Sequence, residues 1–363
     1  DDGEWGYDFQ CEEYSFDCGD CNNDFSNTYG YCNDIPQAYT FNHGGISRQY
    51  YIYEPNVIQE NPPLIFLMHG FTGSALGISS YSGMNALADE HGFVVCYPQG
   101  TIDGSGNAFW NVGYDFHSNQ TVDDVGFIIE LAQFLQTEYN LSRNNTFSTG
   151  MSNGGELSYL LACQASDIFC SVAPVSGTMM SWFYDTCEPL EPISVFEIHG
   201  TNDDVSSYSG DYDNSEGWGI YMDIDTIIEL WSGLNECNLL VIDTLENVNT
   251  SDGSYIITEK YQNCIYDNQV WLYKVINGGH DWPGAYGNMD INASAEVWEF
   301  FSQNMNIEII GDVNFEDKKF MIVSHLEGKS KKNLSPLDCK MVGRESAKLH
   351  EITKNFNFKR END

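Results

Sequence analysis

The 363 residues carry 54 Asp/Glu against 15 Lys/Arg, a formal net charge of −39, with 42% hydrophobic residues and eleven cysteines. So acidic a surface repels nucleic acid and anionic membranes, and no run approaches the about 18 apolar residues of a membrane span. That many cysteines points to an oxidising compartment and a protein working outside the cell. The acidity reads as a matter of habitat rather than of substrate.

In chain order, residues 1–36 are polar, aromatic and Asp-rich, and hold Cys11, Cys18, Cys21 and Cys32. They read as a small stapled module with three possible pairings, disulfides being favoured over zinc at Cys18-x-x-Cys21. A catalytic body is expected over 37–307. Residues 45–53 predict a hairpin strand. Residues 63–68 predict an apolar strand running into His69-Gly70-Phe71-Thr72-Gly73, and residues 92–97 a short buried strand. Val125, Ile128, Ala132, Leu135 and Tyr139 recur on one face of an amphipathic helix. A strand-like run, Asn145-Thr146-Phe147-Ser148-Thr149, then leads into Gly150-Met151-Ser152-Asn153-Gly154, and a helical run follows from Glu156.

Residues 171–175 and 193–199 predict further buried strands, 221–234 a helix, and 239–245, 255–261 and 270–276 three more strands. A last helix is expected over 293–304. Strands alternating with helices predict an α/β domain with a mostly parallel sheet covered on both faces. A body of about 270 residues is one domain of that class. The tail, 308–363, is different: residues 311–363 hold all the Lys/Arg except Arg48, Arg143, Lys260 and Lys274. It carries no catalytic motif and is expected to be non-catalytic. Gly311-Asp312-Val313-Asn314 begins like a calcium repeat but lacks the glycine of the sharp turn, so no metal is expected there.

Strand, tight turn and helix around G-x-S-x-G form the context of a nucleophile elbow, which exposes the serine at the top of a sheet. A serine alone is a poor nucleophile and needs a base, with an acid to orient it. In this context the chain order is Ser, acid, His. Of the eight histidines (His43, His69, His91, His117, His199, His280, His325 and His350), His280 follows the strand at 270–276 on a Gly-rich loop and is the candidate base. His325 and His350 lie in the tail. The strand at 193–199 ends at Gly200-Thr201-Asn202-Asp203-Asp204, and spacing leaves Asp203 and Asp204 equally open as the acid. Two backbone N–H groups are expected to hold the oxyanion: Asn153, after the nucleophile, and Phe71 or its neighbour Thr72. His69 reads as structural, bonded to loop backbone.

These segments resemble the extracellular polyhydroxybutyrate depolymerase, feruloyl esterase and acetylxylan esterase family of α/β-hydrolases. The shared motifs are G-x-S-N-G-G at 150–155, H-G-T-x-D at 199–203 and G-G-H-x-W-P-G at 278–284. Tyr97-Pro98-Gln99-Gly100, Trp110-Asn111 and Val122-Asp123-Asp124-Val125-Gly126-Phe127 match as well. The likeness covers roughly residues 45–305, and the co-occurrence of several motifs makes it specific. It implies an α/β-hydrolase fold and selects Asp203 over Asp204, although Asp204 replaces the family's usual proline. It also implies a Cys237–Cys264 disulfide. Cys163, Cys170 and Cys187 leave room for another bridge, and Cys96, in a buried strand, reads as a free core thiol.

The expected protein is a secreted serine esterase with Ser152, Asp203 and His280 as triad and Phe71 and Asn153 as oxyanion donors. It needs no cofactor and no metal, works as a monomer, and binds neither nucleic acid nor membrane. A polyester such as polyhydroxybutyrate, or feruloylated or acetylated plant polysaccharide, is the expected substrate, with Trp110 and Trp282 near it. The alternatives are a peptidase or an inactive binding module with the same fold; an intact triad speaks against the latter. Lacking an initiating Met and a signal peptide, the chain reads as mature or truncated.

Overall fold

In the computed structural model, which describes residues 35–58 and 60–306, ten strands form one sheet. The expected N-terminal cysteine module and the Lys-rich tail lie outside the described residues. The strands are β1 (Gln37–His43), β2 (Ile46–Tyr53), β3 (Leu64–Met68), β4 (Val94–Pro98), a separate small ribbon of β5 (Thr101–Ile102) and β6 (Ala108–Phe109), then β7 (Thr146–Met151), β8 (Ser171–Val175), β9 (Ser194–Gly200), β10 (Leu239–Thr244), β11 (Tyr255–Gln262) and β12 (Val270–Ile276). Their spatial order is β1-β2-β4-β3-β7-β8-β9-β12-β11-β10. Pairing is parallel from β4 through β12, with antiparallel strands at both edges.

The sequence dictates this layering directly. β3 reads Leu-Ile-Phe-Leu-Met and is buried throughout, as a central parallel strand must be. Its side chains alternate between two cores: Leu64, Phe66 and Met68 face one, Ile65 and Leu67 the other. The first core is closed by α3 (Asp124–Glu138), α4 (Asn153–Gln164) and α6 (Ile224–Leu234), the second by α1 (Ala75–Ser82), α2 (Met84–His91) and α7 (Ala293–Gln303); α5 (Ser181–Tyr184) is a single turn. In α6, Ile224, Ile227, Ile228 and Trp231 are buried at i, i+3, i+4 and i+7, and the Asp223 side chain caps the helix by accepting from Thr226 N–H. α7 presents Val297, Phe300 and Phe301 to the sheet, with Phe301 stacked on Phe147 of β7.

Two disulfides pin the periphery, Cys163–Cys187 and Cys237–Cys264. The second sits at the end of the β10–β11 ladder, where Leu239 pairs with Gln262. Cys96 is free and buried in β4. None of the helices among the described residues is long and apolar enough to cross a membrane.

Candidate active site

Ser152 sits between β7 and α4 at φ 56°, ψ −123°, a conformation that non-glycine residues adopt only when the surroundings enforce it. The enforcement is visible. A Cβ on Gly150 would lie 2.6 Å from the Gly154 backbone, and one on Gly154 would lie 2.4 Å from the Met68 carbonyl oxygen. Both positions must be glycine for β7 and α4 to close against β3. Ser152 N–H donates to Val175 O of β8 at 2.9 Å, fixing the turn to the adjacent strand.

The candidate acid and base meet at the C-terminal ends of two neighbouring strands. His280 follows β12 and Asp203 follows β9, the strand paired in parallel with it, and His280 Nδ1 lies 2.7 Å from Asp203 Oδ2. Asp203 Oδ1 accepts from Val205 and Ser206 N–H at 2.9 and 2.8 Å. Burial works against the Asp203 anion, but the His280 and His199 contacts and the Ser206 N–H outweigh it and hold its pKa below the ordinary value. Asp204 is exposed, so the carboxylate that reaches His280 is Asp203. The His280 loop is carried to the elbow by Ser176, at the end of β8, whose hydroxyl donates to Asp281 O at 3.4 Å. A Ser152–His280 hydrogen bond is not formed in this structure; such contacts are often long before substrate arrives.

Next to Ser152, a Cβ on Gly70 would stand 3.3 Å from Ser152 Cβ, which puts the His69–Gly73 turn against the nucleophile. Thr72 N–H is committed to Ala108 O at 2.8 Å. Phe71 N–H has no protein acceptor among the described residues, and Asn153, at the first position of α4, has no helical acceptor available to it. Phe71 and Asn153 thus remain the candidate oxyanion donors, and Thr72 does not. His69 is buried, with Nδ1 donating to Gly70 O at 2.7 Å and Nε2 accepting from Gly100 N–H at 3.0 Å. Burial lowers its pKa to about 4, so the ring is neutral near pH 7.

This architecture can be set beside known proteins. The family model "Esterase PHB depolymerase" matches residues 47–204. Feruloyl esterase D of Neurospora crassa is 27% identical over 284 residues, 74% of this chain and 86% of that protein. Residues 47–204 thus resemble this esterase family. A bifunctional acetylxylan esterase/xylanase of Neocallimastix patriciarum is 29% identical over 164 residues, 45% of this chain. Feruloyl esterase B of Piromyces equi is 27% identical over 222 residues, 60% of this chain. This chain spans only 22% and 39% of those two longer proteins. Acetyl xylan esterase from Aspergillus awamori superposes with a TM-score of 0.50 at 18% identity, covering 70% of this chain and 94% of that one, a likeness of α/β-hydrolase fold.

The structure departs from expectation at the tryptophans. Trp110 is 0% and Trp282 1% exposed. Their indole N–H groups are committed, Trp110 to His69 O at 2.8 Å and Trp282 to Ser294 Oγ at 3.1 Å. Neither ring is free to stack on a substrate; both are packing residues beneath the loops. Trp110 acts through its backbone as well, because the Asn153 side chain accepts from Trp110 N–H at 2.7 Å and donates to Trp110 O at 3.1 Å. That clasp orients Asn153 and hence its N–H.

Three groups escaped the sequence reading. Glu156 is buried one turn into α4 and accepts from Tyr114 OH and Thr178 Oγ1; burial raises its pKa. Its position three residues after Asn153 was the only available signal. The rings of Phe116 and Trp218 flank Phe71 at 5.8 Å each, and Phe116 is 49% exposed. Phe116 and Trp218 lie 102 positions apart, and no local pattern links them. The third group is the Glu197–His199 pair behind Asp203. Among the described residues, no cluster of three or more His, Cys, Asp or Glu side chains is arranged to hold a metal.

Proposed function

We propose that the chain is a secreted serine esterase using Ser152, His280 and Asp203. Ser152 Oγ attacks the ester carbonyl carbon while His280 Nε2 takes the hydroxyl proton. Asp203 holds the Nδ1–H tautomer and offsets the imidazolium charge. Phe71 and Asn153 N–H groups stabilise the oxyanion of the tetrahedral intermediate. Its collapse breaks the bond to the alcohol, which leaves with the proton from His280. Water, deprotonated by the same imidazole, then releases the acid and regenerates Ser152. The observation that carries this reading is the 2.7 Å His280–Asp203 contact at the strand ends beside a strained Ser152 elbow. Two disulfides support action in an oxidising, extracellular setting.

For the substrate, we favour a hydroxycinnamoyl ester of plant polysaccharide over a polyester or a simple acetate. Phe116 and Trp218 present rings beside the candidate oxyanion residue Phe71, a surface suited to a flat apolar acyl group. Relatives named feruloyl esterases support the same class. Two measurements test this reading. Ser152→Ala is expected to lower kcat on p-nitrophenyl acetate by several orders of magnitude with an unchanged unfolding temperature. Near-parental turnover would remove Ser152 from the mechanism. Feruloylated xylan, acetylated xylan and poly(3-hydroxybutyrate) film, incubated in parallel, should yield ferulate fastest; faster release of acetate or hydroxybutyrate would reject the substrate class.

A further inference from the structure

Behind the Asp203–His280 pair lies a second histidine and a second acid, both fully buried. His199 is the penultimate residue of β9, and Glu197 lies two positions before it on the same strand. His199 Nδ1 is 2.9 Å from Glu197 Oε1, and Nε2 is 2.8 Å from Ser206 O and 3.5 Å from Asp203 Oδ2. Asp203 Oδ2 thus stands between two imidazoles, His280 toward the substrate and His199 toward the core.

We propose that His199 is a charged positioning residue, an imidazolium held by ionised Glu197 that fixes the Asp203 loop and offsets part of the Asp203 charge. The proposal rests on Asp203 and His280 being the acid and base. The hydrogen bonds set its terms. Ser206 O can only accept, so Nε2 carries a proton. Glu197 faces three donors: Tyr159 OH at 3.0 Å, Gly177 N–H at 3.2 Å and the His199 ring. One proton remains to be shared between Glu197 and His199 Nδ1. Burial lifts Glu197 to about 7, while burial disfavours the His199 cation but is outweighed by the charges of Glu197 and Asp203, so that His199 too is raised. The Asp203 anion 3.5 Å from the far nitrogen tips the proton onto the imidazole.

The wider surroundings explain why a cation is useful there. Among the neighbouring acids, Asp281 interacts with Asp203, His280 and Asp204, and Glu156 from α4 interacts with His280. Tyr208 packs its ring against His199, and its own hydroxyl is spent on Asp225. Of the Lys/Arg residues of the first 310 positions, Arg48 pairs with Asp124, Lys274 with Asp225 and Glu259, Lys260 lies over the Trp271 ring, and Arg143 donates to Thr137 Oγ1. In a protein of net charge −39, the His199 imidazolium is the cation that faces Asp203 from the core side.

Glu197→Gln tests the idea with little change of shape. The Gln amide can donate to His199 Nδ1, leaving a neutral ring whose Nε2–H still reaches Ser206 O, at the loss of the Gly177 contact. The expected result is a rise of kcat/KM with pH displaced upward by about one pH unit, with KM nearly constant and alkaline activity largely retained. A profile that stays in place, or a kcat reduced by one factor at every pH, would overturn the proposal. Independently of any variant, the His199 ring ¹⁵N shifts of the parent protein should show imidazolium from pH 6 to 7. A neutral tautomer in that range would overturn it as well. Failure of the triad itself would appear separately, as activity surviving Ser152→Ala.

Discussion

Asp203→Asn isolates the acid's role, because the surrounding loop dictates how the amide must lie. Oδ1 of Asp203 accepts from Val205 and Ser206 N–H, while Oδ2 faces His280 Nδ1 and His199 Nε2. An asparagine keeps the two backbone bonds only by placing its oxygen at Oδ1, which turns its NH₂ toward His280. A ring nitrogen facing that donor must be unprotonated, so the proton moves to Nε2, where it blocks uptake of the Ser152 proton. Replacing the acid of a Ser-His-Asp triad by its amide lowers kcat by about 10⁴-fold, or about 5.5 kcal/mol of transition-state stabilisation. The same change at exposed Asp204, which faces solvent, is expected to alter kcat less than about twofold. Both variants would be assayed on p-nitrophenyl acetate across pH 6–9, with unfolding temperatures measured alongside. Less than a tenfold loss in a folded Asp203→Asn protein, or a severe loss confined to Asp204→Asn, would refute the reasoning.

Arg48 Nη2 pairs with Asp124 Oδ1 at 2.6 Å, both side chains almost fully buried, and Asp124 Oδ2 accepts from Asn111 N–H at 2.7 Å. Arg48→Met should therefore strand a buried carboxylate and cost about 3–5 kcal/mol in urea unfolding; a loss under 1 kcal/mol would contradict the assignment. Replacing Cys237 and Cys264 by alanine opens a 27-residue loop and should lower stability by roughly 3–4 kcal/mol, with peptide mapping under non-reducing conditions recovering the bridged pair from the parent. His69, held to about 4 by burial, stays neutral in the fold, while in the unfolded chain it takes up a proton below its ordinary value of 6.5. Its contribution is thus lost as pH falls from 6.5 to 4, reaching about 3 kcal/mol at the acid end. Urea titrations at pH 7, 5.5 and 4 should show that decline in the parent and a smaller one in His69→Gln; equal slopes would exclude His69 as the source.

Local chemistry along the chain determined the strands, the elbow and the order of the site. The glycines at 150 and 154 announce a turn whose backbones touch. The unbroken apolar run in residues 64–68 announces a strand with a core on each side. Asp203 and His280 announce themselves as polar residues just beyond buried strands. Each of these signals lies within a few residues of the feature it specifies, so the sequence carries it. The helices α1 and α2, interrupted at Gly83 with φ 66°, gave no comparably clear period. Only the tertiary structure decided what depends on residues far apart. It committed Thr72 N–H to Ala108 and left Phe71 free, and it drew Trp110 and Trp282 into the interior. It brought Phe116 and Trp218 to Phe71 and stood His199 behind Asp203. Burial and the direction of a hydrogen bond are properties of what packs against a residue. Those neighbours come from distant strands and loops, whose arrangement only the assembled sheet fixes.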